Sequence, residues 1–178
     1  MIATLEDAWR WYRSVHAMSR ILGRLGERHW PELDWDGRLG QDAVLVELSR
    51  DQIIEDAAVI QADLDDLCVL LLFSVFEALV RERVLRDFDA EAKSATHAAV
   101  QRAMRSIRES IENGSFFQVL DLYKDADADL IEQVNQVRRY RNWVAHGRRA
   151  EKPAAVQPPV AYRRLAAFLE LIDRLAED

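Results

Sequence analysis

Residues 41 to 88 contain neither glycine nor proline. So long a stretch without a turn former reads as one long helix or two consecutive ones, since strands rarely exceed ~10 residues. Inside it lies the apolar run Leu67 to Phe76 (LCVLLLFSVF), which Glu77 ends. A membrane-spanning helix needs about 20 apolar residues, so this run is too short to cross a bilayer. A helix apolar nearly all round is buried on most sides. It therefore belongs at the centre of a helical bundle or at a subunit interface. The part before it is acidic, with eight acidic residues and only Arg50 basic between Asp42 and Asp66. Such a charge run is a solvated face.

The rest of the chain follows the same period. Leu5, Trp9, Tyr12, Val15, Leu22 and Leu25 recur at helical spacing over residues 4 to 29, and Thr4 with Asp7 resembles a capping box. A break carrying Pro31, Gly37 and Gly40 follows. Further helices are predicted over 91 to 112, with Ala98, Met104, Ile107 and Ile111 apolar, and over Phe116 to Tyr123 and 127 to 146. A last one over Val160 to Ala176 turns Leu165, Phe168, Leu169, Ile172 and Leu175 inward. Only 6 Gly and 4 Pro occur among 178 residues, which argues against a turn-rich β-sandwich or barrel. The expected class is all-α, a bundle of four to five main helices with an extra N-terminal helix. Residues 1–40 would form a helix and loop packed on the helical domain at 41–178.

Composition restricts the chemistry. A single cysteine, Cys68, excludes an internal disulfide framework and a multi-cysteine zinc site, and it suits a reducing cytoplasm. In the apolar run it reads as an inert core thiol. The N-terminal MIATLEDAWRWYR lacks the apolar core of a signal peptide. Asp125, Asp127 and Asp129 begin like a calcium loop, but Leu130 occupies the glycine position and Gln136 the final glutamate position. They read instead as caps of the next helix. No metal and no cofactor is expected, and no membrane partner.

The net charge of −7 rules out a general polycation. Positive charge is nevertheless concentrated. From Gln133 to Lys152 the chain carries Arg138, Arg139, Arg141, Arg148, Arg149 and Lys152 against Glu151 alone. A helix C-terminus attracts cations, but that accounts for one or two of them. The excess points to an anion site, and to phosphate in particular. On a wheel of about 100° per residue, Val134, Val137 and Val144 form an apolar stripe around Leu130, and Arg141 falls about 20° from its centre. A guanidinium aimed into a core is either paired with a buried carboxylate or lines a cleft. Asn142 and His146 share a face, whereas Arg141 and His146 lie about 140° apart on an ideal helix. They converge only if the helix ends near Ala145, and Gly147 offers the left-handed residue that ends helices. His146 could equally be a simple C-terminal cap.

The string Arg141-Asn142-x-x-Ala145-His146 resembles the signature of the HEPN superfamily, an arginine followed four to six residues later by a histidine. An all-helical organisation with the motif late in the chain, over about 41 to 178, agrees with it. The resemblance implies a bundle that dimerises and brings two copies of the motif into one cleft. Many members are metal-independent endoribonucleases, often toxins or effectors of anti-phage defence held by an antitoxin or inhibitor protein. It implies Arg141 and His146 as the catalytic pair and Asn142 as an orienting residue. Members often add an acidic residue from an earlier helix, for which Glu77 is the candidate, although Glu77 could also be an i, i+4 partner of Arg81. Arg138, Arg139, Arg148, Arg149 and Lys152 would bind RNA. One branch carries a tyrosine, modified by a nucleotidyltransferase, two positions after the histidine. Here that position is Arg148, so such a partner is not expected.

The chemistry is coherent. RNA supplies its own nucleophile, the 2′-hydroxyl. Histidine can move the proton, and arginine can hold two phosphate oxygens as charge builds. Two subunits would supply a base and an acid, giving a 2′,3′-cyclic phosphate. The rival is a non-catalytic helical module that binds RNA or a protein through the same patch. Trp9, Trp11, Trp30 and Trp35 read as packing residues or as base-stacking ones.

Overall fold

The capping box at the start of the first helix forms as its residues dictate. Thr4 Oγ1 accepts from the Asp7 backbone N–H at 3.1 Å, and Asp7 Oδ2 accepts from the Thr4 N–H at 3.1 Å. In the computed structural model, which describes residues 2–92, 96–149 and 151–176, helix α1 then runs Leu5–Arg24 and continues as a π turn, Leu25–His29. Short 3-10 turns follow at Trp30–Glu32 and Leu39–Gln41. The remaining helices are α2 (Arg50–Ala92), α3 (Ala98–Asn113), α4 (Phe116–Asp121), α5 (Ala128–Ala145) and α6 (Pro158–Leu175). The described residues contain no strand. None of these helices is long and apolar enough to cross a membrane.

The long turn-free stretch is one helix of 43 residues, shorter at its start than the composition suggests. Residues 42–47 turn instead, because the Asp42 carboxylate accepts from the Val44 and Leu45 N–H groups and holds the chain off the helical path. The helix predicted from 91 begins at Ala98, where His97 Nδ1 accepts from the Ala99 N–H at 3.2 Å. Positions 91 and 92 belong to α2, and 93–95 lie outside the described residues.

Contacts divide the chain into two compact units, with the change at Cys68–Val69 inside α2. Unit 1 holds the described residues of Met1–Ala8 and Val69–Asp178. Its core is aromatic: Phe116 meets Phe73 and Phe76 edge-on, and Phe168 does the same to Phe76 and Tyr123. Leu72, Val80, Leu120, Val134, Val137, Leu165 and Ile172 fill the space around these rings. Helix α5 packs on α6 and α4, and α4 on α3.

Unit 2, Trp9–Cys68, is a helical hairpin. Tyr12 donates to Asp65 at 2.7 Å, Gly23 faces Ala57, and the Gly26 carbonyl accepts from Arg50 Nε at 3.0 Å. These pairs run in opposite chain directions, so the two helices are antiparallel here. At Gly26 an added Cβ would stand 2.7 Å from Ile54 Cγ1, so only glycine allows this approach.

Helical period does not guarantee burial. Leu175, on the face predicted to turn inward, is exposed, and so are Leu22 and Ile107 among the apolar positions of α1 and α3. Within the apolar run, Cys68, Val69, Leu72, Phe73 and Phe76 are buried, but Leu67 and Ser74 are exposed. Of the tryptophans, Trp9 stacks on Tyr12 at 5.3 Å, Trp30 meets Trp35 at 4.5 Å, and Trp11 is exposed.

Candidate functional site

Helix α5 carries the site and is fixed at both ends by its own sequence. Asp127 Oδ1 accepts from the Leu130 N–H at 2.9 Å, the N-cap its position suggested. Val134 and Val137 are fully buried and anchor the apolar stripe in unit 1. Arg141 stands next on that stripe, as the wheel requires.

The guanidinium of Arg141 has partners on three sides. Its Nη2 donates to Glu77 Oε2 at 3.1 Å, its Nη1 donates to Asn142 Oδ1 at 3.0 Å, and its Cζ lies 5.1 Å from the centre of the Phe73 ring. The other carboxylate oxygen of Glu77 accepts from Arg81 Nη2 at 2.8 Å and Nε at 3.2 Å. Glu77 thus forms the i, i+4 pair with Arg81 and also meets Arg141 on α5. Arg81 also donates to the Gly114 carbonyl at 2.9 Å and to the Ile111 carbonyl, closing the end of α3. The cluster is not sealed, since the Arg141 side chain keeps 27% of its surface and Glu77 keeps 23%. Water therefore reaches and screens these pairs.

Arg138 sits one turn earlier on α5. It donates from Nε to the buried Asn135 Oδ1 at 3.0 Å and lies over the Phe117 ring at 5.3 Å. Among the described residues no carboxylate pairs with it. Burial, then the neighbouring charges of Arg139 and Arg141, lower its pKa from the usual guanidinium value. Arg81 and Arg141 thus share one carboxylate while Arg138 beside them has none, and the excess positive charge favours an anion.

Helix α5 ends at Ala145, as the convergence of Arg141 and His146 demands. His146 leaves helical geometry (φ −90°, ψ 17°), and Gly147 takes φ 72°. The Gly147 N–H donates to the Val144 carbonyl at 3.0 Å and the Arg148 N–H to the Trp143 carbonyl at 2.9 Å, the paired bonds of a Schellman turn. Arg148 is also left-handed, at φ 59°, a conformation that costs a non-glycine residue about 1 kcal/mol. The His146 side chain is exposed and makes no hydrogen bond to Arg141.

The other basic residues separate. Arg139 is paired with Glu132, whose pKa it lowers, and both are exposed. Arg148 and Lys152 lie over the Trp143 ring at 6.0 and 5.4 Å. Arg149 is exposed. Neither Phe73 nor Phe117 is marked out by the sequence as part of the site, whereas Arg81 is, as a partner of Glu77. Phe73 was detectable, because Phe73, Glu77 and Arg81 recur at i, i+4 along α2. Among the described residues, no group of three or more His, Cys, Asp or Glu side chains is placed to hold a metal ion.

Comparison with protein-family models, with curated proteins and with solved structures returned no match to this chain.

Proposed function

We propose that the protein is a HEPN-like, metal-independent endoribonuclease that acts as a homodimer. The observation that carries this reading is the end of α5. There Glu77 and Asn142 hold Arg141 at a half-open surface, and the helix stops where His146 is set free. Arg141 would grip the scissile phosphate and stabilise charge building on its oxygens. Glu77 aims that guanidinium, and Asn142 fixes its second edge. His146 would take the 2′-hydroxyl proton, and the partner subunit's copy would protonate the leaving 5′-oxygen. The products would be a 2′,3′-cyclic phosphate and a 5′-hydroxyl. Arg138 adds a further contact for the strand.

A non-catalytic RNA-binding module is the second reading, and one observation favours it. Within a single chain His146 faces solvent, and no neighbouring group directs it to Arg141. The two readings separate in one assay of RNA incubated with protein in EDTA. The expected result is cleavage with cyclic phosphate ends, lowered by two to four orders of magnitude (~10²- to 10⁴-fold) in His146→Ala with the helical circular dichroism unchanged. RNA retained without cleavage would select the binding module. Cleavage that needs a divalent metal, or survives His146→Ala, would overturn the proposed chemistry. A toxin or defence role would appear as growth arrest on expression, relieved by the same substitution.

A further inference from the structure

We infer that Phe117 is a base-stacking platform beside the anion site, which makes single-stranded RNA the substrate class. The inference rests on the reading above only in requiring that this face takes RNA. Helix α4 buries Phe116, Val119 and Leu120, yet its Phe117 is 45% exposed. No other aromatic ring stacks on it among the described residues. The group over it is Arg138, at 5.3 Å. That guanidinium is half-buried and lacks a carboxylate, and it stands one turn from Arg141 on α5.

A part-exposed aromatic ring, a cation over one of its faces and a second cation one turn further on match the repeating chemistry of a nucleic-acid strand. A base can stack on the ring, while the phosphates that flank it meet Arg138 and Arg141. Stacking on phenylalanine needs no particular base, because every base has a π-face. It does need an unstacked base, and a duplex keeps its bases inside the helix. Exposure of one large apolar side chain is common on protein surfaces and would mean nothing alone. Here the exposed ring adjoins uncompensated positive charge.

The test uses a short RNA with 2′-fluoro sugars throughout, which cannot supply the nucleophile, and reads binding by fluorescence anisotropy. Single-stranded, duplex and abasic forms are compared at one salt concentration. Phe117→Ala should weaken single-strand binding roughly tenfold and leave binding of the abasic strand unchanged, while Phe117→Trp should retain full affinity. Since Phe117 is exposed, Phe117→Leu keeps its apolar contacts without the π-face, and it should behave like Phe117→Ala. If Phe117→Ala binds the strand like wild type while Arg141→Gln binds it weakly, the platform is refuted and the anion site stands. Equal affinity for duplex and single strand would refute the substrate class. If wild type binds none of these RNAs, the functional reading falls and the platform falls with it.

Discussion

Each unit of the molecule brings a carboxylate to a helix that carries an aromatic ring, and the outcomes differ. In unit 2, Asp65 takes a hydrogen bond from Tyr12, and the phenol's pKa is raised by burial and then by that bond. The partner is neutral, and the pair closes the hairpin. In unit 1, Glu77 faces two arginines, a third stands one turn away, and the group stays partly open. Unit 2 carries twelve acidic residues against seven basic ones. A positive, half-open cluster in an otherwise acidic chain is therefore unlike its surroundings. Satisfied polar groups lock a fold, whereas uncompensated ones of a single sign leave free energy for a ligand.

Several substitutions would break or sharpen that contrast. The largest effect on stability is expected at Glu77. Glu77→Ala leaves Arg81 and Arg141 without a carboxylate and should cost about 1–2 kcal/mol, discounted for partial exposure. Urea unfolding would measure it, and hydrogen exchange should show the loss concentrated in α3 and α5. Glu77→Gln keeps an acceptor and should lose less stability. An equal loss in both variants would mean that the charge of Glu77 does not matter.

Next is Gly26→Ala, which forces Ile54 to move and should cost about 1 kcal/mol. Exchange should rise in α1 and the first half of α2. If it rises equally in α5, the two units do not unfold separately.

The smallest effect is a pH dependence. Burial, and then the nearby Asp65, push the Cys68 thiol up to about 12. The unfolded chain releases that proton near pH 8.5, so between these values the folded state binds more protons than the unfolded state. Stability should therefore fall as pH rises from about 8.5 to 12, and Cys68→Ala should flatten the slope. The same burial should make Cys68 slow to react with thiol reagents in the native protein. Rapid alkylation at neutral pH would show that this part of unit 2 opens.

Local signals were legible wherever neighbouring residues decide the outcome. Thr4 with Asp7, Asp127 and Gly147 each set a helix end through bonds a few residues long, and each is found where its residue type places it. The wheel put Arg141 among valines, so the need for a partner was readable from α5 alone. Its partner was a choice between readings, because Glu77 lies 64 positions away and an i, i+4 pairing with Arg81 was equally available. Phe117 carried no signal at all. Phe116 and Phe117 are adjacent and chemically identical, and only the packing of α4 buries one and exposes the other.

Sequence by itself determined the all-helical class, the helix ends and the concentration of positive charge late in the chain. Periodicity, capping and composition act over a few residues, and they need no knowledge of the rest. Tertiary structure alone decided that Glu77 serves two guanidiniums and that Arg138 meets Phe117. It also decided that His146 turns to solvent. Those facts depend on which helix faces which, and that is set by burying the whole aromatic core at once.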